Sequence, residues 1–184
     1  MATLDPRTLV LLDETSTQTT MTRHRGRAPR GTRVVGAVPR NHGDNHTCLM
    51  AIRPAAILQP CVFPGALDGP LFQQWLTQWL LPTLAPGTTI VLDNLSVHRS
   101  PAVRMAIETA HCSVRYLPPY SPDFNPIEQV FAKLKTHLRG IGARSPDTLV
   151  TAIGRGLDQI TARDLAGCYR HCGYALPTSE GQPL

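Results

Sequence analysis

The chain has 184 residues, 42 % of them hydrophobic and 17 % charged, with a net charge of +5 and a pI near 9.2. That length supports one domain with its own core, and the positive balance suits a polyanionic partner. No apolar run approaches the ~20 residues of a membrane helix. The first residues also lack the basic-then-apolar order of a signal peptide, so a cytoplasmic protein without a membrane partner is expected.

Residues 8–13 read as a short buried strand, apolar through Leu9-Val10-Leu11-Leu12 and ending on Asp13. The next stretch is polar and basic. Residues 15–43 contain six arginines (Arg23, Arg25, Arg27, Arg30, Arg33 and Arg40) and no acid. A solvated face usually mixes signs, so this segment points to a nucleic-acid surface. Arg23, Arg25, Arg27, Arg30 and Arg33 are its candidate contacts. Arginine supplies 16 of the 18 basic residues. A codon bias explains that excess as well as the bidentate phosphate contacts that Arg makes better than Lys.

Residues 31–38 and 47–52 read as two more strands, which with the first would form an antiparallel meander. Residues 70–81 are helical by the spacing of Leu71, Trp75, Leu76, Trp79 and Leu80. Residues 88–93 form a continuous apolar strand, hence a central one. A helix over 101–110 and a strand over 113–117 complete a βαβ unit, so those two strands should run parallel.

A proline-punctuated loop follows. Asn125 is a good N-cap and Pro126 suits the first helical position, opening a helix to about residue 139 with Ile127, Val130, Phe131, Leu134 and Leu138 on its buried stripe. Ser145-Pro146 starts another helix, and residues 161–169 a short last one. Residues 176–184 read as a frayed tail after a single domain over 1–175. The order predicts an α/β fold: a mixed sheet of three antiparallel plus two parallel strands, flanked by helices.

Reactive groups in such sheets gather at the carboxyl ends of strands. Asp13 and Asp93 are expected there, and Glu128 opens the helix packed beside them. Three carboxylates so placed can hold a pair of hard divalent ions such as Mg²⁺, the arrangement that breaks and joins phosphodiester bonds. Each acid also has a plain structural reading. Glu128 could cap its own helix, Asp93 could close an Asx turn before Asn94, and Asp13-Glu14-Thr15 could be a turn. The joint pattern favours the metal. His98 either touches the scissile phosphate, orients a neighbour or makes a structural bond; Asn94 is a second candidate for support. Lys135 and Arg139 share the Glu128 face of the helix, where they could meet flanking phosphates or only solvent. The five cysteines are irregularly spaced, which predicts free thiols and neither disulfides nor zinc.

At these residues the chain resembles a known family. Leu12-Asp13-Glu14-Thr15, Arg25-Gly26-Arg27-Ala28-Pro29-Arg30-Gly31, Asp68-Gly69, Leu92-Asp93-Asn94-Leu95-Ser96-Val97-His98 and Leu117-Pro118-Pro119-Tyr120-Ser121-Pro122-Asp123-Phe124-Asn125-Pro126-Ile127-Glu128 are similar to the DDE endonuclease domain of bacterial insertion-sequence transposases of the mariner superfamily. The proline block entering Glu128, with 34 residues between Asp93 and Glu128, is the most specific of these. The likeness runs over roughly residues 4 to 174, including His171-Cys172-Gly173-Tyr174.

The resemblance implies a ribonuclease-H-like fold and a triad of Asp13, Asp93 and Glu128 holding two Mg²⁺ or Mn²⁺ ions. It also implies cleavage at transposon ends, followed by attack of the freed 3′-hydroxyl on target DNA by a homodimer on DNA in the bacterial nucleoid. Full-length members carry N-terminal helix-turn-helix modules that recognise transposon ends. This chain starts about a dozen residues before Asp13, so a split gene with a helix-turn-helix partner frame, or a truncated remnant, is expected. The competing readings are a stand-alone nuclease of the same fold and a non-catalytic DNA-binding remnant.

Overall fold

The computed structural model describes residues 5–119 and 121–176. Five strands make one sheet: β1 (Leu9–Gln18), β2 (Asn45–Arg53), β3 (Ala56–Pro64), β4 (Thr89–Leu92) and β5 (Ser113–Tyr116). Their order is β3-β2-β1-β4-β5. β1, β2 and β3 pair antiparallel, while β4 and β5 run parallel to β1 and to each other. Five helices flank the sheet: α1 (Gly69–Trp75), α2 (Pro101–Thr109), α3 (Pro126–Ile141), α4 (Pro146–Asp158) and α5 (Ala162–His171).

Side-chain alternation along β1 builds two cores. Leu9 and Leu11 join Ile127, Phe131 and Leu134 under α3, α4 and α5. Val10 and Leu12 join Phe72, Trp75 and Ile107 under α1 and α2. A strand covered on both faces must be apolar on both, which is why Leu9 to Leu12 is an unbroken run.

The expected mixed sheet of three antiparallel and two parallel strands is present, but two of its strands differ from the sequence reading. β1 does not stop at Asp13. It continues to Gln18 through Thr15 and Thr17, both buried against β2. β-branched threonines at alternate positions carry a strand past the end of an apolar run.

The third strand is residues 56–64, not 31–38. Residues 31–38 are exposed throughout and form no strand. β3 contains Pro60 and Pro64, which it tolerates as an edge strand. Gln59 takes a positive φ of 46°, the pairing with β2 shifts register beside it, and its carbonyl accepts a 2.9 Å bond from Trp75 Nε1.

The expected helix over 70–81 is α1 continued by a π-helical turn (Leu76–Leu80) and a 3₁₀ turn (Leu81–Thr83). Phe72 is already buried within α1, and beyond it the wider turn rotates the stripe, so Leu80 and Leu81 are buried while Trp79 is 42 % exposed. α3 ends where Gly142 adopts a left-handed conformation and its N–H bonds to the Leu138 carbonyl. All five cysteines are free. No helix among the described residues is long and apolar enough to cross a membrane. Of the expected tail, Leu176 packs against the core, and residues 177–184 lie outside the described residues.

Candidate active site

β1 and β4 pair in parallel at Leu9–Thr89, Val10–Ile90 and Leu11–Val91. Continuing that register two residues places Asp13 level with Asp93. Both follow the odd-numbered positions that face α3, which brings the first turn of that helix over them. Asp13, Asp93, Asn94, Asn125 and Glu128 line one cavity of about 480 Å³, with Pro118, Pro119 and Pro122 in its wall. Asp13 therefore reaches the site from mid-strand rather than from a strand end. β4 stops at Leu92, and it is this shorter neighbour that opens the space beside Asp13.

Asp13 is only 7 % exposed. Its Oδ1 accepts from its neighbour's backbone, Glu14 N–H, at 2.8 Å, and its Oδ2 accepts from Asn125 Nδ2 at 2.9 Å. Burial pushes its carboxyl up to about 7, helped by the charge of Glu14 and then by those of Asp93 and Glu128, against the Glu14 N–H bond. Among the described residues no cation offsets that charge. Asn125 was expected to cap α3, but its side chain makes no cap bond; it is spent on Asp13. Sequence spacing cannot show that diversion, since the partners are 112 positions apart.

Asp93 is held differently. Its Oδ1 accepts from Leu95 N–H at 2.9 Å, which is the expected Asx turn, and from His98 Nδ1 at 2.5 Å. Burial alone would raise its carboxyl, but the bonds from His98 and Leu95 and the His98 charge hold it below the usual range. His98 is fully buried, and its ring faces Asp93 and Glu14 without lining the cavity. Burial opposes its charge, yet the hydrogen bond to Asp93 and the neighbouring Glu14 carboxylate raise it to about 9. Asn94 Nδ2 donates to the Leu117 carbonyl at 2.5 Å, tying the loop after β4 to the loop after β5.

Glu128 is exposed on the first turn of α3. Its carboxylate makes no hydrogen bond or ion pair among the described residues, and no capping box forms at this helix. The capping alternative is therefore removed. Among the described residues, no three His, Cys, Asp or Glu side chains close on one point as a metal cage. The donor chemistry nevertheless fits a hard divalent cation: carboxylate oxygens only, mutually repelling, in one solvent-open cavity. Mg²⁺ takes few protein carboxylates and completes its shell with water and phosphate.

Further along α3, Lys135 and Arg139 line a second groove of about 330 Å³ with Ser16, Gln18, Met21, Thr22 and His24. Both candidate cations thus meet the end of β1 where the arginine segment leaves the sheet. Arg144 Nη1 donates to the Thr19 and Met21 carbonyls at 3.0 Å, pinning that departure point. The Arg23 guanidinium lies beside Gly140 at the end of α3. Arg25, Arg27, Arg30 and Arg33 lie exposed along the segment, and no contact brings them to the acidic cavity.

Comparison with known proteins decides the family. The family model described as the DDE superfamily endonuclease matches residues 8–150. The chain belongs to the DDE superfamily of endonucleases. Among curated proteins, it is similar to the Transposable element Tc1 transposase of Caenorhabditis elegans, 32 % identical over 77 residues that are 42 % of this chain and 28 % of that protein. Among solved structures, it is similar to the Mos1 Strand Transfer Complex, with a TM-score of 0.70 at 16 % identity over 90 % of this chain and 52 % of the other. The Mos1 mariner paired end complex with Mn gives a TM-score of 0.70 at 16 % identity over 91 % and 53 %. The chain thus spans about half the length of these Mos1 chains and less of the Tc1 protein. At these identities the structural likeness establishes the fold alone, a ribonuclease-H-like mixed sheet flanked by helices.

Proposed function

We propose that this domain is the catalytic part of a transposase that cleaves DNA strands at transposon ends and joins the freed 3′ ends to target DNA. The observation that carries the reading is the convergence of Asp13, Asp93 and Glu128, from β1, the loop after β4 and the first turn of α3, on one cavity. A basic groove on the same helix and strand supports a polyanionic substrate.

In this reading Asp13, Asp93 and Glu128 hold two Mg²⁺ or Mn²⁺ ions. When bound, such a pair would supply activation of the attacking oxygen and stabilisation of the leaving one. The protein's own groups do the rest. Asn125 and the Glu14 N–H fix Asp13, His98 and Leu95 N–H fix Asp93, and Glu128 is free to swing inward from its exposed turn. Lys135 and Arg139 sit two and three helical turns beyond Glu128, about 10 and 16 Å at 1.5 Å per residue, and would grip phosphates flanking the cut.

Residues 1–175 form the catalytic unit in this proposal, with action on DNA in the bacterial cytoplasm, a homodimer bridging two ends, and a helix-turn-helix partner frame for end recognition. A labelled DNA duplex incubated with Mg²⁺ or Mn²⁺ tests it. Nicking, followed by joining of a 3′-hydroxyl strand to a second duplex, is the expected result. Cleavage confined to an RNA–DNA hybrid would instead indicate a stand-alone nuclease. DNA binding without cleavage, by a chain that also ignores the metal, would indicate a remnant.

The arginine segment carries its own expected result. Replacing Arg25, Arg27 and Arg30 together by Ala should weaken DNA binding. It should also reduce the slope of log K against log salt by about 2.7 if each meets one phosphate of duplex DNA. An unchanged slope would mean that the segment faces away from DNA.

A further inference from the structure

The reaction leaves Glu14 unexplained. It follows Asp13 in β1, and strand alternation turns its side chain to the opposite face of the sheet, toward α1 and away from the cavity. There it meets the far edge of the buried His98 ring. Glu14 Oε2 and His98 Nε2 lie 3.4 Å apart. Both atoms are buried, and neither has a conventional hydrogen bond among the described residues. Each is the other's compensation. On its near edge the same ring donates from Nδ1 to Asp93 Oδ1 at 2.5 Å.

The surroundings hold the residue as well. Phe72 packs against the ring at a tilt, with centroids 4.6 Å apart, and the Tyr116 hydroxyl donates to the His98 backbone carbonyl at 3.2 Å. Carboxylates accept hydrogen bonds: Nδ1–H donates to Asp93, and Nε2 faces Glu14 Oε2 in a 3.4 Å charged contact. Removing Glu14 would strand a buried N–H, which the ring could relieve only by turning or by giving up that hydrogen. Either change loosens the charge-assisted bond to Asp93.

We infer that Glu14 is a positioning residue which, through His98, fixes the Asp93 carboxylate so that Oδ1 is engaged by protein and Oδ2 is left for a divalent cation. The two adjacent acids of β1 then serve one site from opposite faces of the sheet, Asp13 directly and Glu14 from behind. The inference rests on the metal-site reading above. It has a precedent in general chemistry, since the outer partners of metal ligands set ligand orientation and are worth 10- to 100-fold in affinity.

The test uses the full chain and two readouts. Mn²⁺ binding is read from the electron paramagnetic resonance of the free ion, and the His98 clamp from the Nδ1 proton resonance in metal-free protein. Glu14→Ala is expected to weaken Mn²⁺ binding about tenfold and to shift or erase the His98 resonance. Glu14→Gln still offers an oxygen to Nε2–H and should recover most of both. Should Glu14→Ala fail to fold, Glu14→Asp, whose shorter reach opens the contact, should show a smaller loss of the same kind. Wild-type Mn²⁺ affinity with an unchanged His98 resonance in the Ala or Asp variant would overturn the inference. If the wild type takes up no Mn²⁺ while the His98 resonance still depends on Glu14, the clamp stands and the metal-site reading falls.

Discussion

Asp93→Asn is expected to bring metal-dependent nicking of duplex DNA down by more than about 100-fold, because losing a ligand should exceed the 10- to 100-fold cost of losing a ligand's support. The fold should survive. Asp93 lies beyond the end of β4, about a third exposed, and an Asn there still accepts from Leu95 N–H and His98 Nδ1 through its carbonyl oxygen. What is lost is the charge opposite the buried imidazolium. A hydrogen bond to a charged group is worth about 1.5–3 kcal/mol, and the retained acceptor keeps part of it, so a loss of about 1 kcal/mol in thermal unfolding is expected. Full nicking activity in a folded Asp93→Asn protein would remove Asp93 from the site.

Asp13→Asn should move stability the other way. His98 offsets the charge of Asp93, and the uncompensated acid is Asp13. Its carboxyl ionises at about 7 in the folded protein against 3.8 ordinarily. The folded state thus holds the proton more tightly than the unfolded chain does. The stability contributed by Asp13 is fully present below pH 3.8, falls as the pH rises toward 7, and is gone above it.

That shift corresponds to a penalty on the order of 4 kcal/mol at high pH. Asp13→Asn removes it, so the variant should unfold several degrees higher than wild type at pH 8 without metal, and no higher at pH 4. The substituted amide is also accommodated: Asn125 Oδ1 is buried without a partner, and turning the Asn125 amide over lets it accept where it had donated. Mg²⁺ should raise the wild-type midpoint at pH 8 by mass action and leave the variant unmoved. A variant less stable than wild type at pH 8 would mean that Asp13 is already neutralised by a group other than a metal.

Much of this site was legible in the chain because its signals are local. Apolar runs ending on acids located Asp13 and Asp93, and the Asn125-Pro126 start located Glu128. A βαβ unit fixed β4 and β5 as parallel neighbours. What escaped depends on pairing. The strand through Thr15 and Thr17 is revealed only by β2 lying opposite, and β3 is permitted its prolines only because it is an edge. Asn125 looked like a helix cap until Asp13, far away in sequence, took its side chain. Glu14 and His98 are 84 positions apart and meet across the sheet, where alternation could have hinted that adjacent acids part company but not what Glu14 would find.

The central claim is that Asp13, Asp93 and Glu128 act together as one metal site. Equilibrium binding of Mn²⁺ to the wild type and to Asp13→Asn, Asp93→Asn and Glu128→Gln, each checked for folding, tests it most directly. The account predicts two ions on the wild type in the presence of DNA and weakened or absent binding in every variant. Wild-type stoichiometry and affinity in any folded variant of the three would contradict it.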